Sequence, residues 1–178
     1  MLGLLSGLVT LLLTPTTSYA SLATSANALN TGVCPDGWLD ASEAGMGCLW
    51  AHGDDTTMTW DAANTFCNSN SNSSLVEILS TFEAEYIGSL LPWTSELGPN
   101  QAWWTSATDS LKEGEWVWLP SLKPLGDFMW GPGEPDGASG PNEPDKPSVD
   151  CMYLYIGNDY MAYDCYCEYS GTPICQIK

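Results

Sequence analysis

The chain has 178 residues, enough for one domain and a leader but not for two separate cores. Apolar residues make up 44% and nine residues are Trp, a globular composition rather than a disordered one. Against 22 Asp and Glu stand four Lys and no Arg, so the formal net charge of −18 excludes nucleic-acid phosphates as partners and disfavours anionic membranes. Cations, basic surfaces and neutral molecules remain as ligands.

Residues 2–13 form an apolar run too short to span a bilayer, and Ser18-Tyr19-Ala20 supplies a small-residue cleavage pattern. A signal peptide is therefore predicted over residues 1–20, with an uncleaved N-terminal anchor as the alternative. Residues 21–33, rich in Ser, Ala, Asn and Thr, read as a flexible lead-in, which leaves 34–178 as the domain. From Met58 the pattern becomes helical, with Trp60, Ala63, Phe66 and Cys67 on one face. Residues 75–78 suggest a short strand. Ser80 or Thr81 can cap a second helix with Glu83 in its first turn. In that helix Phe82, Tyr86, Ile87, Leu90 and Leu91 are expected to face the core, and Pro92 to stop it. Residues 102–105 and 116–119 read as strands. Residues 120–149 carry seven of the 12 Pro and show no periodicity, and a loop of that length usually carries function. Residues 151–156 and 172–177 read as the closing strands. Helices first, then short strands around one long loop, predict an α+β fold.

Seven Cys (Cys34, Cys48, Cys67, Cys151, Cys165, Cys167 and Cys175) behind a leader imply an oxidising compartment and a disulfide framework whose connectivity the residues leave open. A zinc cluster is not expected, because His52 is the only His and no second cysteine pair has ligand spacing. Asn72-Ser73-Ser74 is an acceptor sequence for N-glycosylation. Trp103, Trp104, Trp116, Trp118 and Trp130 are assigned to the core rather than to a sugar-stacking platform. No nucleophile elbow, phosphate loop or metalloprotease motif occurs, and the chain is read as a binding protein, not an enzyme.

Several segments together resemble a known family. Cys34-Pro35-Asp36-Gly37-Trp38 with Gly47-Cys48 is similar to the opening hairpin of long-form C-type lectin-like domains, and Met58-Thr59-Trp60-Asp61-Ala62-Ala63 to their first helix. Trp104 to Asp109, Glu113 to Trp118, Trp130-Gly131-Pro132-Gly133-Glu134-Pro135-Asp136, Asp150-Cys151 and Ile174-Cys175 follow in the family's order. The resemblance spans residues 34–178. It implies a disulfide-stapled fold of two helices and short antiparallel sheets, with bridges Cys34–Cys48, Cys67–Cys175 and Cys151–Cys167. Cys165 is then odd: a free buried thiol, or a link between two chains.

The resemblance also implies Ca²⁺ as cofactor. Glu134 and Asp136, flanking a proline that is typically cis in the family, and Asp164 would hold an ion that coordinates sugar hydroxyls. Asp109, Glu113 and Asp150 would hold a second. Two family ligands are replaced, one by Val149 and one by Tyr163. The triplet also keeps no amide, whereas a sugar hydroxyl on the ion typically accepts a hydrogen bond from one. The function implied is a secreted protein that binds carbohydrate through Ca²⁺, with glycans or extracellular proteins as partners. The alternative is an acidic extracellular structural or interaction protein on the same fold, binding protein, mineral or ice.

Overall fold

The computed structural model describes residues 34–51, 56–69, 72–91, 102–126, 130–137, 149–155 and 161–178. The predicted leader and lead-in, His52, the helix stop at Pro92 and residues 138–148 of the long loop lie outside them.

A turn closed by the Trp38 N–H on the Pro35 carbonyl (3.0 Å) leads into β1 (Leu39–Asp40), which pairs antiparallel with β2 (Cys48–Trp50). The Cys34–Cys48 bridge staples this hairpin. Its connection includes a 3-10 turn at Ser42–Ala44 and ends at Gly47, whose φ of 71° suits glycine. A Cβ there would lie 2.1 Å from the Ile177 carbonyl oxygen, so the position also demands the missing side chain.

The first predicted helix is α1 (Trp60–Ser69), and it buries Trp60, Ala63 and Cys67 as the spacing requires. The Trp60 indole donates to the Thr105 carbonyl (2.8 Å), which fixes the helix on the neighbouring sheet. Helix α2 (Thr81–Leu90) begins at Ser80, whose hydroxyl accepts from the Glu83 N–H (3.2 Å), while the Glu83 carboxylate accepts from the Leu79 N–H (2.5 Å). Ile87 and Leu91 are buried and Tyr86 and Leu90 pack at the core margin. Phe82 departs from expectation and is 56% exposed, resting near Tyr86. It stands five residues before Ile87, about 140° around the helix, so the two cannot share a buried face.

Two sheets carry the domain. In the first the order is β1-β2-β9-β3, all antiparallel, with β3 (Ser74–Leu75) and β9 (Cys175–Ile177). In the second the order is β5-β4-β6-β7, formed by β4 (Ala102–Thr108), β5 (Val117–Trp118), β6 (Cys151–Tyr155) and β7 (Met161–Cys165). The predicted strand over 172–177 divides at Ile174: β8 (Thr172–Pro173) runs parallel to β4, and β9 crosses into the first sheet. The predicted strand over 75–78 pairs only at its start. Beyond it the Val76 N–H donates to the Ile174 carbonyl and its own carbonyl accepts from Ser106, bridging the two sheets. The core between the layers holds Trp103, Trp116, Trp118, Met152, Leu154 and Ile174, with Trp130 packed at its edge.

Cys67–Cys175 joins α1 to β9, and Cys151–Cys167 closes the end of the β6–β7 hairpin. Closing the 108-residue span between Cys67 and Cys175 contributes about 4–5 kcal/mol through loss of unfolded-chain entropy. Among the described residues no helix is long and apolar enough to cross a membrane.

Gly47→Ala is expected to destabilise the domain by about 2 kcal/mol or more, from left-handed backbone strain plus collision with β9. Urea unfolding checks this; a loss under about 0.5 kcal/mol would show that β9 yields and that the contact is not a constraint.

Candidate metal and ligand site

The loop from Trp130 to Gly137 is held against β7 by backbone pairing. The Gly131 N–H donates to the Ala162 carbonyl (2.9 Å), and Trp130 bridges Ala162 in parallel register. The Glu134 N–H then closes a turn on the Gly131 carbonyl (3.1 Å), and the Glu134–Pro135 peptide bond is cis. Gly131 is required here: a Cβ on it would lie 2.7 Å from the Tyr163 Cζ.

This docking brings Glu134, Asp136 and Asp164 together, each offering a carboxylate oxygen within 4.8 Å of the others. Asp164 reaches the cluster because residues alternate along β7: Ala162 and Asp164 are buried on one side, while Tyr163 and Cys165 take the other. The Asp164 carboxylate accepts from the backbone N–H of Asp136 (3.3 Å) and of Gly137 (3.0 Å), so its position is fixed by the loop itself. Burial, contact with the Asp164 carboxylate and the charge of Asp136 together push Glu134 up to about 7. Three like charges this close are unfavourable unless a cation or a proton relieves them.

The donor set fits a hard divalent cation. Ca²⁺ sits about 2.3–2.6 Å from each of about six to eight oxygens, so ligand atoms on opposite sides of it are about 5 Å apart, the span these carboxylates cover. Glu134, Asp136 and Asp164 would hold the ion. When bound it would polarise and orient hydroxyl groups completing its coordination shell.

Asp109, Glu113 and Asp150 lie near one another at the end of β4, but among the described residues only the first trio gathers its oxygens into one cluster. Asp109 is 3% exposed, half-buried Asp150 contributes its backbone carbonyl to the Asp109 N–H (3.3 Å), and Glu113 faces solvent. One Asp109 oxygen accepts from the Gly114 N–H (2.9 Å); the other is buried with no hydrogen-bond partner among the described residues. Burial, against that hydrogen bond but helped by Glu113 and Asp150, raises Asp109 to about 6. Val149 is buried beside this group. Asn142, Glu143, Asp145, Asn158 and Asp159, further oxygen-bearing residues of this part of the chain, lie outside the described residues.

Cys165 is a free, buried thiol and lines a cleft of about 450 Å³ with Trp104, Tyr153, Tyr155 and Tyr169. Burial and the neighbouring Asp164 charge push it up to about 12, so the thiolate is scarce at neutral pH. Asn72 is exposed at a turn with φ 60°.

Sequence reasoning missed three features of this region. Strand β7 went unread because Met161-Ala162-Tyr163-Asp164-Cys165 lacks the plain apolar alternation of a half-buried strand. The backbone donors of Asp136 and Gly137 carry no side-chain signal. Tyr163, noted as a replaced ligand, packs its ring over Gly131 and between Tyr153 (centroids 5.8 Å) and Tyr155 (5.8 Å).

The Lectin C-type domain family model matches residues 56–177. The chain belongs to the C-type lectin domain family. The carbohydrate-recognition domain of mouse scavenger receptor C-type lectin superposes with a TM-score of 0.66 at 26% identity, covering 82% of this chain and 98% of that one. The C-type lectin CEL-I from Cucumaria echinata shares the fold, with a TM-score of 0.65 and 21% identity over 82% of this chain and 97% of that one. A calcium-independent type II antifreeze protein matches with a TM-score of 0.62 and 27% identity, covering 82% and 94% respectively. The solved structures similar to this chain thus include one named for carbohydrate recognition and one named as an antifreeze protein.

Gly131→Ala should cost about 1–2 kcal/mol by forcing Tyr163 or the loop aside. In a double-mutant cycle with Tyr163→Leu most of that loss should be recovered; simple additivity would mean the two residues do not constrain each other.

Proposed function

We propose that this C-type lectin domain is an extracellular, non-catalytic protein that binds carbohydrate through a Ca²⁺ ion held by Glu134, Asp136 and Asp164. The observation that carries the reading is the convergence of the three carboxylates within 4.8 Å on a loop pinned to β7. In the bound state Glu134 and Asp136 accept hydrogen bonds from sugar hydroxyls that also fill the ion's coordination shell. Asp164, anchored by two backbone N–H groups, completes the sugar-binding set as the ligand whose position the loop fixes. The described relative whose name specifies carbohydrate recognition, at 26% identity, supports this reading.

A second ion at Asp109, Asp150 and Glu113 belongs to the same proposal. Its support is the orphaned, buried oxygen of Asp109, which a cation would satisfy. Secretion, a cleaved leader over residues 1–20 and glycosylation at Asn72 are likewise proposed, on the disulfide framework and the exposed turn.

One observation favours a different reading on the same scaffold. The three clustered side chains are all carboxylates, which accept but do not donate when ionised. A sugar hydroxyl would lack the amide donor that normally completes its hydrogen bonds. An acidic extracellular protein that binds a protein, mineral or ice surface, with calcium serving structure or nothing, meets that constraint; the relative named a calcium-independent antifreeze protein, at 27% identity, is a precedent for the calcium-free case.

Calorimetric titration with Ca²⁺, then a glycan array with and without chelator, separates the two. Chelator-sensitive glycan binding is the expected result; calcium binding with no glycan bound by the whole array would assign the second reading. Glu134→Gln should weaken the triad ion about tenfold or more, and unchanged affinity would remove Glu134 from the site. Asp109→Asn should abolish one class of calcium sites while leaving the other. If both classes persist, no ion sits at Asp109.

A further inference from the structure

Next to the carboxylate trio lies a cleft of about 610 Å³ whose walls include Trp116, Trp130, Leu125 and Pro135, together with Glu115 and Glu134. Trp116 and Trp130 meet edge to face, with centroids 4.9 Å apart and planes at 79°, so they form a corner rather than a stack. Trp116 is only 8% exposed and backs the corner from the core, so the ring surface open to the cleft belongs mainly to half-buried Trp130. The corner is firmly held: the Trp116 carbonyl accepts from the Leu125 N–H (2.9 Å), and Trp130 bridges Ala162 of β7.

The lining contains no basic side chain, and both of its charged residues are carboxylates, in a chain of net charge −18. Indole faces carry negative quadrupole and attract cations. The aliphatic surfaces of Leu125 and Pro135 disfavour a strongly hydrated metal ion and favour a cation clothed in methyl or methylene groups. Glu115 is also paired with Lys112 at the exposed surface, which leaves Glu134 as the main charge facing the cleft.

We infer that this cleft is a second binding site, for an alkylammonium group such as a trimethylammonium headgroup. The group seats against Trp130, which buried Trp116 backs, with Glu134 in the same cleft wall. The site shares Glu134 with the proposed calcium trio yet does not depend on it: three carboxylates exceed the charge of one divalent ion, so the local field stays negative with calcium bound.

The test titrates the full chain with choline chloride at constant ionic strength, in calcium and in chelator. Binding is followed by calorimetry and by the indole N–H signals of the tryptophans in ¹H–¹⁵N spectra. Saturable binding in both conditions is expected, with shifts at Trp116 and Trp130. The neutral isostere 3,3-dimethylbutan-1-ol should bind about tenfold more weakly or worse. Pro124→Lys, an exposed change in the cleft wall, should weaken choline about tenfold, and Trp130→Leu should do the same. Equal binding of the isostere, absence of choline binding, binding confined to one of the two conditions, or shifts that spare both tryptophans would each overturn the inference. Choline binding in a protein that fails to bind calcium would keep this site and remove the calcium reading.

Discussion

A chain with 22 carboxylates and four lysines folds against its own repulsion, and the handling of its least exposed carboxylates sets apart structure from site. Glu77 is 2% exposed and fully provided for: it pairs with Lys178 and accepts from the Ser121 N–H (3.1 Å). Those partners outweigh desolvation and hold it below the usual carboxylate range. Asp109 and Glu134 are treated differently. Neither has a basic partner shown, both are pushed upward by burial and by acidic neighbours, and Asp109 keeps an oxygen with no partner among the described residues. The fold therefore neutralises the carboxylate it uses as a strut and leaves two others in need of positive charge.

The means of assembling the trio is inexpensive in side chains. One strand, β7, contributes Asp164 by simple alternation, and a short loop contributes Glu134 and Asp136 from either side of a proline. The loop is registered by backbone hydrogen bonds to Ala162 and by the close fit of Tyr163 on Gly131. The Tyr163 ring is part of the wall that sets where the loop lies. The same loop presents Trp130 to Trp116, so one docking event builds both the ion trio and the aromatic cleft.

Much of this was legible in the residues. The Trp60, Ala63 and Cys67 spacing gave α1, Ser80 and Glu83 marked the start of α2, and the family pattern implied the three bridges that the structure contains. Glu134, Asp136 and Asp164 were named from motifs alone, and they converge. What escaped was decided by tertiary context. Phe82 is apolar yet exposed, because the buried stripe of α2 runs through Ile87 and Leu91, and which stripe is buried is chosen by tertiary packing and not by composition. Residues 172–177 look like one strand, and only the presence of two sheets explains why Ile174 is where the chain changes partner. Glu77 looked like an ordinary strand residue, since the lysine and amide that stabilise it come from positions far along the chain.

The first sheet has an order, β1-β2-β9-β3, in which the strand made last lies in the middle. During synthesis, therefore, the early half can form its hairpin and α1 but has no central strand on which to assemble. Cys67 emerges 108 residues ahead of its mate, an interval of about 5–20 s at ordinary translation rates. Cys34, Cys48, Cys151, Cys165 and Cys167 all precede Cys175, and local closure of the 14- and 16-residue bridges withdraws four of those five competing thiols from Cys67. Loop length thus ranks the three closures, with the 14- and 16-residue bridges favoured over the 108-residue one that ties α1 to β9.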